Sequence, residues 1–162
     1  MIGREVPVDV LLERMPMMGA DLHNYDSEKE EISMEFFPDR PDLYSVEGVA
    51  RALRAFLGYE PGLKRYQTDE SGITLVRDPS VEEVRPYVVG GVVRNVVMSD
   101  ALIRSLMELQ EKLHLTVGRK RAKVSIGIHD IDRVHPPFSY RAVEPDSVEF
   151  VPLADDRMMN LA

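Results

Sequence analysis

A cluster of chain breakers in the middle of the sequence does most to limit what it can fold into. Pro61, Gly62, Ser71 and Gly72 punctuate the polar residues 59–72, and Asp78-Pro79-Ser80 and Arg85-Pro86 follow within a few positions. Proline removes a backbone donor and fixes φ, and glycine admits conformations that end helices and strands. No single long element can run through this stretch. Charge divides at the same place: residues 1–83 hold 9 basic and 18 acidic side chains, whereas residues 84–162 hold 11 and 10. A boundary near residue 83 is therefore expected, giving units 1–83 and 84–162. A length of 162 residues accommodates two such units, and no large multidomain enzyme is expected within it.

The balance of 20 Lys and Arg against 28 Asp and Glu leaves a net charge of −8. A surface that coats nucleic acid or an anionic membrane is disfavoured by that charge, so any RNA contact must be local. The absence of Cys removes disulfides, thiolate zinc sites and thiol nucleophiles together. A metal site would have to draw on His and carboxylates. The longest uncharged apolar stretch, residues 87–93, stops at Arg94, well short of the roughly 20 residues that cross a bilayer. Arg4, Glu5, Asp9 and Glu13 occupy the region where a signal peptide would carry its apolar core. A cytoplasmic protein with no membrane partner is expected.

Within the first unit, residues 8–15 read as a short helix that Pro7 can open and Pro16 must stop. Residues 20–25 and 31–37 flank the polar turn Asp26-Ser27-Glu28-Lys29, as in a hairpin. A clearer helix follows, capped by Ser45, with Val46, Val49, Ala50, Leu53, Phe56 and Leu57 at helical spacing and Gly58 at its end. Gly48 inside that helix calls for a closely packed backbone, and the hairpin is the expected neighbour. In the second unit, the Val-rich residues 87–97 read as a strand with a bulge at Gly90-Gly91. A long helix comes next, with Ser99 as cap, Leu102, Leu106, Leu109 and Leu113 as its stripe, and Gly118 as its stop. His114 falls one position past the stripe, at the boundary between core and solvent. Residues 123–129 alternate as a half-buried strand does, and residues 138–143 and 148–151 read as further short strands. The fold class is α+β: a small helix and hairpin domain followed by a second α+β unit.

Four positions carry the strongest local charge. Arg119, Lys120, Arg121 and Lys123 lie in residues 112–128, a segment with five Lys or Arg and no acid. One reading is cations placed beyond a helix C-terminus, where they complement its dipole. The other is contact with an RNA backbone, whose phosphates suit guanidinium geometry. His129, Asp130 and Asp132 have the chemistry of a metal site or a general base. Neighbouring strand residues point to opposite faces, however, and a strand end closed by a turn-forming Asp explains the same residues. Met15, Met17 and Met18 around Pro16 read as core filling or as an adaptable contact surface.

The segment Phe37-Pro38-Asp39-Arg40-Pro41-Asp42-Leu43-Tyr44-Ser45-Val46-Glu47-Gly48-Val49-Ala50-Arg51 has two prolines that stiffen the lead-in loop, and an Arg40 able to pair with Asp39 or Asp42. It resembles the Asn-Arg-Pro-Asp-Leu-Leu-Ser stretch of the phenylalanyl-tRNA synthetase beta subunit, with Asp39 where Asn is common. Leu109-Gln110-Glu111-Lys112-Leu113-His114 through Gly118-Arg119-Lys120-Arg121 is similar to the archaeal and eukaryotic form of that subunit. The same order continues in Ile126-Gly127-Ile128-His129-Asp130-Ile131-Asp132, in Pro137-Phe138-Ser139-Tyr140 and in Phe150-Val151-Pro152-Leu153. Arg85-Pro86-Tyr87 and Val93-Arg94-Asn95 extend the resemblance over nearly the whole chain.

The resemblance implies part of a heterotetrameric class II ligase that joins phenylalanine to its tRNA with ATP and magnesium. It places the aminoacylation site, and with it ATP and magnesium, on the alpha subunit. It also implies that a domain hydrolysing mischarged tyrosyl-tRNA opens near Arg85. The sequence has neither a Phe-Arg-x-Glu nor a Gly-x-Gly-x-x-Arg pattern, nor a Walker-type phosphate loop. No catalytic residue and no bound cofactor are expected in these 162 residues, and the family's beta subunit is several times longer, so a fragment or a truncated reading frame is expected. A free-standing deacylase and a non-catalytic RNA- or protein-binding module are the alternatives.

Overall fold

A computed structural model describes residues 1–152 and 155–162, and among them the breakers separate three α-helices and four strands, with short 3-10 turns between. Helix α1 spans Val8–Arg14, and strands β1 (Ala20–Asp26) and β2 (Glu31–Phe36) form an antiparallel hairpin. Helix α2 spans Val46–Phe56, strand β3 Leu75–Arg77, helix α3 Asp100–Leu115 and strand β4 Phe138–Tyr140. The chain is α+β, as its patterning indicates. Among the described residues, no helix is long and apolar enough to cross a membrane.

The compact units do not follow the expected break near residue 83. Residues 1–66 and 97–128 form one unit, and residues 67–96 and 129–162 form the other. The reason is the docking of α3. Its Ser105 hydroxyl donates to the Glu47 carboxylate at 3.0 Å, and its Lys112 ammonium donates to the Tyr44 carbonyl at 3.1 Å. A charge census along the chain cannot register such contacts between distant segments.

In the first unit, local chemistry sets each element. Asp26 accepts from the backbone N–H groups of Glu28 and Lys29, which closes the hairpin turn. Ser45 and Ser99 cap α2 and α3 by accepting from the N–H groups of Gly48 and Leu102. Met18, Ala20, Leu43, Ala50 and Leu53 form the core. Val46 and Phe56, placed by spacing on the α2 core face, are exposed, because the buried strip is narrow and centred on Gly48, Ala50 and Leu53. Met18 fills the core, whereas Met17 is 62% exposed.

The lead-in loop of α2 is tied on two sides. Arg40 pairs with Asp42 through two bonds of 3.0 and 2.9 Å, and its remaining guanidinium nitrogen donates to the Met18 carbonyl at 2.7 Å. Gly48 packs against this loop, not against the hairpin: a Cβ there would lie 2.0 Å from the Asp42 carbonyl oxygen. The bidentate bond from Arg40 holds the Asp42 carboxyl below the usual carboxylate range. A depressed folded-state pKa stabilises above the unfolded value, near 3.9, and that stabilisation disappears as pH falls through the folded value. Because the pair is partly exposed, Asp42→Asn is expected to cost about 0.5–1 kcal/mol at neutral pH. Urea unfolding should show the difference from the parent shrinking as pH falls below the unfolded-state value and vanishing once the folded-state carboxyl is protonated as well.

In the second unit, β3 and β4 pair in parallel, with Leu75 opposite Phe138 and Arg77 opposite Tyr140. Val81 is its buried apolar residue. Residues 87–97 form no strand: Tyr87 is 90% and Val89 95% exposed. A Val-rich composition favours extended backbone, but a strand exists only against a partner, and none pairs with it among the described residues. Residues 123–129 lack a ladder for the same reason, and residues 148–151 pair at one position only, a single bridge from Phe150 to Met159. Of residues 138–143 only β4 forms. Leu153 lies outside the described residues.

Candidate nucleic-acid interface

Helix α3 ends in a turn that carries all four cations of the basic run. The last carbonyls of a helix need donors from outside it. Here the Lys112 carbonyl accepts from the Thr116 N–H at 3.0 Å and from its hydroxyl at 2.6 Å, and the Leu113 carbonyl accepts from the Gly118 N–H at 2.8 Å. The His114 carbonyl accepts from the Arg121 N–H at 3.2 Å, and the Gly118 carbonyl from the Lys123 N–H at 2.8 Å. These bonds fold residues 116–123 back on the helix end.

Arg119, Lys120 and Arg121 occupy this turn with φ of 47°, 56° and 67°. Three successive left-handed residues other than glycine are costly, since each brings its Cβ against a carbonyl oxygen. Their side chains and that of Lys123 are exposed. The four cations are thus brought together just beyond a helix C-terminus, where the partial negative charge of the helix favours them. They are not equivalent. The Arg121 guanidinium is paired with Glu111 at 2.6 Å, which ties it to the helix.

His114 is the residue that sequence spacing misplaced. Expected at the boundary of the Leu stripe, it is 1% exposed, and its Nε2 accepts from the Ile126 N–H at 2.8 Å. A hydropathy pattern counts histidine as polar and cannot register a backbone donor twelve residues away. Gly118, read only as a helix stop, is buried between the backbones of His114 and Val124.

The remaining polar candidates act locally. Asp130 accepts from the Asp132 N–H at 3.1 Å and pairs with Arg133 at 3.4 Å, the turn-forming role that its residue type allows. His129 is exposed and lies on no strand. Among the described residues, no group of three or more His, Asp or Glu side chains is arranged to hold a metal ion. Glu47 in the first turn of α2 is held below its usual pKa by the backbone N–H bond it accepts there and by the Ser105 and Ser45 hydroxyls.

No family model matches the chain. Individual relatives do. The phenylalanine–tRNA ligase beta subunit of Methanothrix thermoacetophila is 52% identical over 153 residues, 94% of this chain and 28% of that protein. The corresponding subunit of Archaeoglobus fulgidus is 51% identical over 95% of the chain, and that of Methanosphaera stadtmanae 42% over 99%, again with 28% of each relative covered. The chain therefore spans little more than a quarter of the length of these relatives. A crystal structure of an N-terminal fragment of the phenylalanyl-tRNA synthetase beta subunit from Pyrococcus horikoshii matches 99% of the chain and 47% of its own length, with a TM-score of 0.87 and 33% identity. By sequence and by fold, the chain belongs to the phenylalanine–tRNA ligase beta subunit family and corresponds to an N-terminal portion of it.

Proposed function

We propose that these residues serve as the N-terminal part of a phenylalanine–tRNA ligase beta subunit, supporting ATP-dependent attachment of phenylalanine to its tRNA. The observation that carries this reading is sequence identity of 42–52% across at least 90% of the chain, joined to the fold match. In this reading the alpha subunit binds ATP and magnesium and performs the chemistry, and the beta subunit completes the heterotetramer. Residues from about 84 onward contribute to the domain that removes tyrosine from mischarged tRNA, although residues 97–128 pack with the first unit. The exposed Tyr87, Val89 and Val93 support a role inside a larger assembly, because apolar surface of this kind marks contact sites. Arg119, Lys120, Arg121 and Lys123 are the surface offered to tRNA phosphates, and Arg121 also serves the turn itself.

The test is a graft. Residues 1–162 replace the matching segment of the Archaeoglobus fulgidus beta subunit, and the chimera is produced with its alpha subunit. Assembly and phenylalanylation of tRNA are expected. A chimera that folds and assembles yet charges no tRNA would overturn the reading. The isolated chain should support no phenylalanine-dependent pyrophosphate exchange, and exchange by the chain alone would move catalysis out of the alpha subunit.

A further inference from the structure

We propose that His114 is the positioning residue of the basic turn, holding it in the one conformation that presents its cations together to an RNA backbone. The inference rests on the reading of Arg119, Lys120 and Lys123 as phosphate contacts and adds the device that organises them. A buried polar side chain must find a partner, and His114 is the buried polar or charged residue among those described. Its Nε2 accepts the Ile126 N–H at 2.8 Å, so that nitrogen carries no proton and Nδ1 does. Nδ1 makes no hydrogen bond; the nearest carboxylate oxygen, on Glu111, is 3.7 Å away and beyond bonding reach. The ring's single bond is therefore spent on the strand of chain that returns from the basic turn.

The backbone of the same residue holds the turn from the other side. The His114 carbonyl accepts from Arg121, and its Cα and carbonyl oxygen form one wall of the slot that only Gly118 fits. Residues 118–126 are thus anchored to His114 at their start, middle and end. Three consecutive left-handed residues persist only where the surroundings over-determine them. His114 supplies that determination, and the cations themselves do not. Glu111 has a supporting part, since it holds Arg121 at 2.6 Å.

Four proteins test this in filter binding of a tRNAPhe transcript at several salt concentrations: the parent chain, His114→Leu, His114→Gln, and Arg119→Ala with Lys120→Ala. Each lost phosphate contact should flatten the dependence of log affinity on log salt by about 0.7–0.9. The double variant is expected to weaken binding and flatten the slope. His114→Leu, which removes the acceptor and leaves every cation in place, is expected to do the same. His114→Gln offers an amide oxygen near the position of Nε2 and should restore most of both quantities. A folded His114→Leu with parental affinity and slope overturns the proposal, and so does His114→Gln failing as fully as His114→Leu. If His114→Leu does not fold, the parent decides through a scalar coupling across the bond from the Ile126 amide nitrogen to His114 Nε2: its presence, with rescue by His114→Gln, sustains the proposal and its absence overturns it. If the parent does not bind RNA, or the double variant binds like the parent, the phosphate reading fails. The positioning role is then read from backbone chemical shifts of Arg119, Lys120 and Arg121. Loss of their left-handed signature in His114→Leu alone sustains it, and retention overturns it.

Discussion

Gly48→Ala is expected to destabilise the first unit by about 3 kcal/mol, the upper end of the usual cost of overpacking. In an exposed helix the same change would stabilise by roughly 1 kcal/mol, because alanine is the better helix former. Geometry reverses the sign. The new Cβ would lie 2.0 Å from the Asp42 carbonyl oxygen and 3.1 Å from its carbon, and both atoms are backbone that cannot rotate away. Nor can the loop easily retreat, since Arg40 braces Asp42 within it and ties it to the Met18 carbonyl, and its own Leu43 is buried. Relief must come from shifting the start of α2, which would also strain the Ser45 cap on the Gly48 N–H. A melting temperature lower by about 10 °C is the expected size for a loss of this magnitude. An unchanged melting temperature would mean that loop and helix separate without cost, contrary to the packing described.

How far the sequence reveals this molecule depends on whether the determining contact is local. The caps Ser45 and Ser99, the turn at Asp26 and the stops at Gly58 and Gly118 act within a few residues, and the helices and hairpin lie where their patterns place them. Residues 87–97 and 123–129 carry strand composition and alternation, yet these are properties of one segment, and a strand requires two. The short parallel pair β3 and β4 shows the converse, since Leu75–Arg77 is too short to carry a pattern of its own and gains its form from Phe138–Tyr140. At the candidate interface, the charge of Arg119, Lys120, Arg121 and Lys123 is legible as composition. Their left-handed backbone is not, because nothing in four cations specifies it. It is set by His114 and Gly118, whose type and spacing in the sequence indicate only a boundary residue and a helix stop.

That division of labour makes Gly118 the second position where one methyl group should have a large effect. A Cβ at Gly118 would lie 2.6 Å from the Val124 carbonyl oxygen, 2.8 Å from the His114 carbonyl oxygen and 3.0 Å from the His114 Cα. Backbone closes the slot on both sides, so Gly118→Ala must push the returning chain away from the helix end. The movement would work against three bonds at once: Lys123 N–H to the Gly118 carbonyl, Arg121 N–H to the His114 carbonyl, and Ile126 N–H to the His114 ring. A loss of about 2–3 kcal/mol is expected from overpacking with incomplete relaxation, measured as a shift of the urea midpoint at unchanged slope. The effect on the turn should exceed the effect on the helix. Amide exchange at Arg121, Lys123 and Ile126 should accelerate together, while the first turns of α3, held by the Ser99 cap and by Ser105 on Glu47, should keep their protection. Faster exchange confined to Gly118 and its immediate neighbours, with Ile126 unaffected, would show that the slot relaxes locally and that the turn does not depend on it.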